Sequence, residues 1–127
     1  MKYEYYYKSL NNKSNCVVRS LCKILNREYN DVYNDLCSYA NKMNKESFTD
    51  ISVFEKYMDD NNIKKIDFES DVLIKDAALD NGSYIVFCYD KNDYYHMVCI
   101  IDNTLYDKEK DSLNLYIISV YKKIWFE

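Results

Sequence analysis

The sequence predicts an α+β domain in which helices come first and a β-sheet follows. Three observations predict it. Apolar side chains recur three and four positions apart from Val17 to Met58, which is the period of a helix face. From Ser83 onward the runs are instead rich in Ile, Val, Tyr and Phe, residues that suit a pleated surface. One glycine and no proline stand in 127 residues, so turns fall to Asn and Asp, which tolerate left-handed backbone. A chain of this length fits one domain over residues 1–127 with a modest core. The order of elements describes N-terminal helices packed on a C-terminal antiparallel sheet.

Residues 1–13 are polar and tyrosine-rich, a short edge strand or an ordered arm. Ser14 and Asn15 are good caps for a first helix whose face carries Val17, Leu21, Ile24 and Leu25 and which stops near Asn26. A second helix is expected after Asn30, with Val32, Tyr33, Leu36, Tyr39 and Ala40 on one side. A third follows Thr49-Asp50, with Ile51, Phe54, Tyr57 and Met58 in phase, and ends in Asp59-Asp60-Asn61-Asn62. Ile63–Phe68 reads as a short strand. Val72, Leu73, Ala77 and Leu79 read as one more short helix closed by Asn81-Gly82, with Gly82 at the left-handed cap position. Strands are expected at Ser83–Tyr89, Tyr95–Asp102 and Leu115–Tyr121, with a tight Asp102-Asn103 turn leading into Thr104–Tyr106. Trp125 and Phe126 are expected to pack the last strand against the sheet.

Seventeen basic residues against 21 acidic ones leave a net charge of −4. Lys and Asp alternate rather than forming a basic face, so nucleic acid is not an expected partner. The five cysteines, Cys16, Cys22, Cys37, Cys88 and Cys99, show no C-x-x-C pair and no zinc spacing, and a lone histidine makes a poor metal set. No cofactor is called for. Met1-Lys2-Tyr3-Glu4-Tyr5 is mixed rather than apolar, and no run approaches the roughly 20 apolar residues of a membrane helix. A reducing cytoplasm is the expected setting, with Cys22, Cys37, Cys88 and Cys99 as core residues.

Cys16 falls in the first turn of the first helix, where backbone N–H groups and the helix dipole favour a thiolate. The same position also suits a thiol that simply packs under the helix start. His96 opens a strand, and from there its imidazole can reach a thiol across a cleft and act as general base. Asp107 ends the strand that the Asp102-Asn103 turn folds back beside His96, and is the candidate for orienting the imidazole; Asp102, in the turn itself, is the weaker one. The Cys16 backbone N–H is one candidate oxyanion donor, with Asn11, Asn12 or Asn15 as side-chain supplements. Arg19 is expected to hydrogen-bond structurally from the first helix.

These residues also carry a resemblance. Asn15-Cys16-Val17-Val18-Arg19-Ser20-Leu21, then Tyr29-Asn30-Asp31-Val32-Tyr33, resembles the opening of small papain-like proteins of phage and bacterial genomes, which start Asp/Asn-Cys-Val-x-Arg-Ala and continue with Tyr-x-x-Val-Tyr. Gly82-Ser83-Tyr84-Ile85, His96 through Asp102-Asn103, and Tyr106-Asp107 are similar to that family's second half, so the resemblance spans about residues 14–107. It implies a papain-like or leader-peptidase-like fold, with Cys16 as nucleophile, His96 as base and Asp107 as orienter. It also implies a peptide or protein substrate and a bacterial or phage-infected cytoplasm. The chain departs from true papains in lacking Cys-Gly-Ser-Cys-Trp, and Leu10 stands where their glutamine precedes the cysteine. Two functions are therefore expected in competition. One is a cysteine hydrolase acting on an amide or ester. The other is a non-catalytic protein-binding module, such as an inhibitor of host defence, using an acidic, tyrosine-rich surface.

Overall fold

Each helix begins where a short polar side chain or an extended residue turns the chain inward. The computed structural model describes residues 1–125. Asn15 caps α1 (Cys16–Leu25), its side chain accepting the Val17 N–H at 2.8 Å, and Asn26 ends it in a left-handed conformation (φ 53°). Asp50 caps α3 (Ile51–Asp60) in the same way through the Ser52 N–H. The second helix, α2 (Tyr29–Lys42), starts earlier than expected: Glu28 is its cap residue, without a side-chain bond, and Asn30 lies inside the first turn.

Six strands form one sheet in the order β1-β5-β4-β3-β6-β2. They are β1 (Lys2–Tyr5), β2 (Ile63–Ile66), β3 (Ser83–Tyr89), β4 (Tyr95–Ile101), β5 (Thr104–Asp107) and β6 (Tyr116–Lys123). The sheet is mixed, which corrects the all-antiparallel expectation. β1 pairs parallel to β5, with Lys2 opposite Thr104 and Tyr5 opposite Asp107, while the other pairs run antiparallel. Asp102 and Asn103, both left-handed (φ 48° and 62°), make the tight turn between β4 and β5.

Strand alternation sends successive side chains to opposite faces, and both faces are buried. On one face Ile85, Met97, Cys99 and Tyr121 meet Val17, Val18 and Leu21 of α1, Val32 and Leu36 of α2, and Phe54, Tyr57 and Met58 of α3. On the other, Val86, Cys88, Val98, Ile100, Leu105, Ile117 and Val120 are covered by Ile74 and Leu115, with Phe68, Ala77 and Leu79 packed alongside. No fourth α-helix forms that cover. Residues 71–74 run beside β6, tied by Asp71 N–H to Ile117 and Ile74 N–H to Leu115, and only a 3₁₀ turn (Ile74–Asp76) follows. The reason is register: the segment spends its hydrogen bonds on β6 rather than on itself. Gly82 is not a helix cap either. It enters β3 at φ 150°, and its N–H is accepted by the Asp102 side chain at 2.9 Å.

Three further expectations are corrected. Tyr33 and Ile51 stand at the margins of their helix faces and are largely exposed, at 39% and 48%. Cys37 is half-buried rather than core, whereas Cys22, Cys88 and Cys99 are buried. Trp125 does not pack on the sheet: it is 70% exposed, with the Lys123 ammonium 5.3 Å from its ring centroid. Phe126 lies outside the described residues.

Candidate active site

The start of α1 is fixed from several directions before it can present a side chain. Leu10 and Lys13 pair across a left-handed Asn11-Asn12 turn, and the Ser14 hydroxyl donates to the Lys8 carbonyl at 2.7 Å. The Asn15 N–H donates to the Tyr29 hydroxyl at 3.0 Å, which ties the start of α1 to the start of α2. Cys16 is the first residue of α1 and half-buried. Its own N–H, at the head of the helix, has no carbonyl of that helix to reach.

His96 is the second residue of β4 and is 4% exposed. Its Nε2 lies 2.9 Å from Oδ2 of Asp107, the last residue of β5, which is 1% exposed. The β4–β5 hairpin makes this approach possible, because its two-residue turn folds β5 back along β4. Asp107 accepts at four points: from His96, from Ser112 Oγ at 2.5 Å, from Arg19 Nη2 at 3.2 Å, and from the Glu109 N–H at 3.4 Å. An ionised carboxylate only accepts, so Nε2 is the protonated nitrogen and Nδ1 is left for other partners. The Tyr94 hydroxyl is one, 3.2 Å from Nδ1, and the Cys16 thiol lies near enough to the imidazole for each group to shift the other's titration. His96 and Asp107 are thus directly bonded, and Cys16 is brought to the same end of the sheet beside the imidazole.

The electrostatics follow from those contacts. Burial pushes the Cys16 thiol up, but the His96 hydrogen bond and charge, the Met97 backbone and the Arg19 charge outweigh it and bring the thiol below its usual range. Burial alone would lower His96, yet its bonds to Asp107 and Cys16 raise it to about 9. Asp107 is likewise opposed by burial and nevertheless held down to about 2 by His96, Ser112 and Arg19. A lowered thiol beside a raised imidazole favours thiolate with imidazolium. The buried thiols go the other way: burial pushes Cys22 up to about 11 and raises Cys88 and Cys99 strongly.

The proposed side-chain oxyanion donors, Asn11, Asn12 and Asn15, are placed differently. Asn15 spends its side-chain oxygen on the helix cap, and its backbone N–H on Tyr29. Asn11 is exposed, like Asn12, at the tip of the Leu10–Lys13 turn, where backbone conformation rather than chemistry explains the asparagines. Asp102 is held in its turn against Gly82, away from the imidazole's carboxylate position. Arg19 does hydrogen-bond from α1, but at the heart of the constellation rather than apart from it: its two terminal nitrogens reach Asp107 and Ser14. Its Nε is buried without a partner. A basic residue three positions after Cys16, inside an apolar helix run, was the signal available for it. Tyr94, two residues before His96 and just ahead of β4, was open to the same kind of reasoning. Ser112, in a 3₁₀ turn (Lys110–Asn114), carried none.

A groove of about 370 Å³ is lined by Asp90, Tyr94, Glu109, Asp111, Ser112 and Leu115; it adjoins the His96–Asp107 pair through Tyr94 and Ser112, and neither Cys16 nor His96 lines it. Among the described residues no three His, Cys, Asp or Glu side chains gather as a metal-binding set. No described helix is long and apolar enough to cross a membrane. Comparison with protein-family models, curated proteins and solved structures finds no match for this chain.

Proposed function

We propose that this chain is a papain-like cysteine hydrolase in which Cys16 is the nucleophile, His96 the acid and base, and Asp107 the residue that orients and charges the imidazole. The observation that supports it most is the buried 2.9 Å contact between His96 Nε2 and Asp107, with the Cys16 thiol at the head of α1 near enough to help raise the imidazole. A carboxylate, an imidazole and a thiol in that sequence are what acyl transfer through sulfur requires.

In the proposed reaction the Cys16 thiolate adds to the carbonyl carbon of an amide or ester. The new C–S bond displaces the C=O π electrons onto oxygen. The oxyanion collapses, the bond to the leaving group breaks, and that group takes the proton held on His96 Nδ1. A water, deprotonated by the now neutral imidazole, then attacks the acyl-cysteine, releasing the acid and restoring the thiol. Asp107 stays ionised throughout and stabilises the imidazolium. The substrate proposed is a peptide or protein, in a bacterial or phage-infected cytoplasm.

The test uses p-nitrophenyl acetate as acyl donor, followed by peptide mapping. An acetyl group on Cys16 at early times, lost on further incubation and absent in His96→Ala, is the expected result. Acetylation spread evenly over Cys16 and Cys37 would remove the claim. A Cys16→Ala protein that keeps its full effect on a host would instead favour the protein-binding module.

A further inference from the structure

Resting on the cysteine-hydrolase reading, one catalytic element has no assigned residue. Acyl transfer places negative charge on the carbonyl oxygen, and a second hydrogen-bond donor beside the Cys16 N–H would stabilise it. Leu10 supplies no donor, Asn11 sits on an exposed turn, and the Asn15 side chain is oriented by the cap bond its oxygen accepts from Val17.

We propose that the Tyr94 hydroxyl is that donor. The Tyr94 ring is stacked on the imidazole, with centroids 5.5 Å apart and planes 24° from parallel, which places its hydroxyl 3.2 Å from His96 Nδ1. With Nε2 taken by Asp107, Nδ1 is the nitrogen left to exchange a proton with the thiol, and the hydroxyl stands at that edge of the ring. Tyr94 is 49% exposed and lines the groove, so one flank of it is open to solvent.

The protonation logic is consistent with this role. When His96 is an imidazolium, Nδ1 carries a proton and the Tyr94 oxygen accepts from it. A hydroxyl has two lone pairs and one proton, so its own O–H is then free to point into the groove. Formation of the oxyanion gives that O–H an acceptor. No bond to Tyr94 forms or breaks, and the phenol keeps its proton. Burial and the nearby Cys16 and Asp107 charges raise the Tyr94 phenol above its ordinary range, so it stays a donor across neutral pH.

Tyr94→Phe removes the hydroxyl and keeps the ring stack. Two reactions of Cys16 separate the possible roles. Acetylation by p-nitrophenyl acetate passes through an oxyanion, whereas alkylation by iodoacetamide is displacement at a saturated carbon and does not. In Tyr94→Phe, Cys16 acetylation is expected to fall on the order of 10²-fold, with Cys16 alkylation within about twofold of wild type. Equal losses in both reactions would mean that Tyr94 acts only by tuning the His96–Cys16 pair. Acetylation reduced less than about threefold would mean that the hydroxyl meets no developing charge; either result overturns the proposal. Failure of the hydrolase reading itself would look different, since wild type would then show no selective acetylation of Cys16.

Discussion

The Arg19 guanidinium lies 3.2 Å from the Asp107 carboxylate, with both side chains almost wholly buried. A charge pair so far from water persists because Asp107 also receives His96 and Ser112, and Arg19 also reaches Ser14. The pair joins the helix that carries Cys16 to the strand that supports His96, so stability and site geometry share the same atoms.

Arg19→Met is accordingly expected to destabilise the fold by about 3 kcal/mol, because it leaves a buried carboxylate one cation short. Urea unfolding measures it. The midpoint should fall with little change in slope, since the surface exposed on unfolding is unchanged. A variant as stable as wild type would show that Asp107 does not need this partner.

Stability should depend on pH at both ends. His96 is raised from its ordinary 6.5 to about 9, so its contribution is complete below about pH 6.5 and is lost as pH rises through about 9. Asp107 is lowered from 3.8 to about 2, so its contribution is complete above about pH 4 and is lost as pH falls through about 2. Thermal unfolding of wild type and Asp107→Asn across this range tests both. The variant should lose the acid limb, and NMR titration should place its His96 well below the wild-type value. An unchanged His96 titration would contradict the coupling.

Turn chemistry also reaches the site. Asn103 is left-handed (φ 62°) in the turn that folds β5 back beside β4. Asn103→Ala should cost about 1 kcal/mol, since a left-handed conformation is unfavourable for alanine, while Asn103→Gly should be neutral or stabilising. Equal stability of the two variants, read by urea unfolding, would show that the turn does not constrain the hairpin.

Much of this was readable in the residues, for physical reasons. The first and third helices announced themselves because Asn15 and Asp50 have one obvious use, satisfying free N–H groups, and because the apolar period is unbroken behind them. β3 was legible end to end because Ser83–Tyr89 is a β-rich run bounded by turn residues. The hairpin that brings Asp107 to His96 followed from two residues that tolerate left-handed backbone. What stayed hidden depends on partners far along the chain. Nothing local in Lys2–Tyr5 encodes a parallel pairing with Thr104–Asp107. Nothing local in residues 71–79 distinguishes a short helix from a segment that borrows β6 for its hydrogen bonds. Arg19 stands out as a charge in an apolar helix run, but nothing near it says that its partner is a carboxylate 88 positions away.

The proposed hydrolase requires Cys16 to be a thiolate activated by His96, which is itself charged through Asp107. The rate of iodoacetamide alkylation at each cysteine, measured by peptide mapping between about pH 5 and pH 9, tests it most directly, with half-buried Cys37 as the internal reference. Cys16 is expected to react faster than Cys37 and to keep that advantage at the acid end of the range, because His96 and Arg19 favour its thiolate. That advantage should vanish in His96→Ala. A Cys16 that reacts no faster than Cys37, with a profile indifferent to His96, would contradict it.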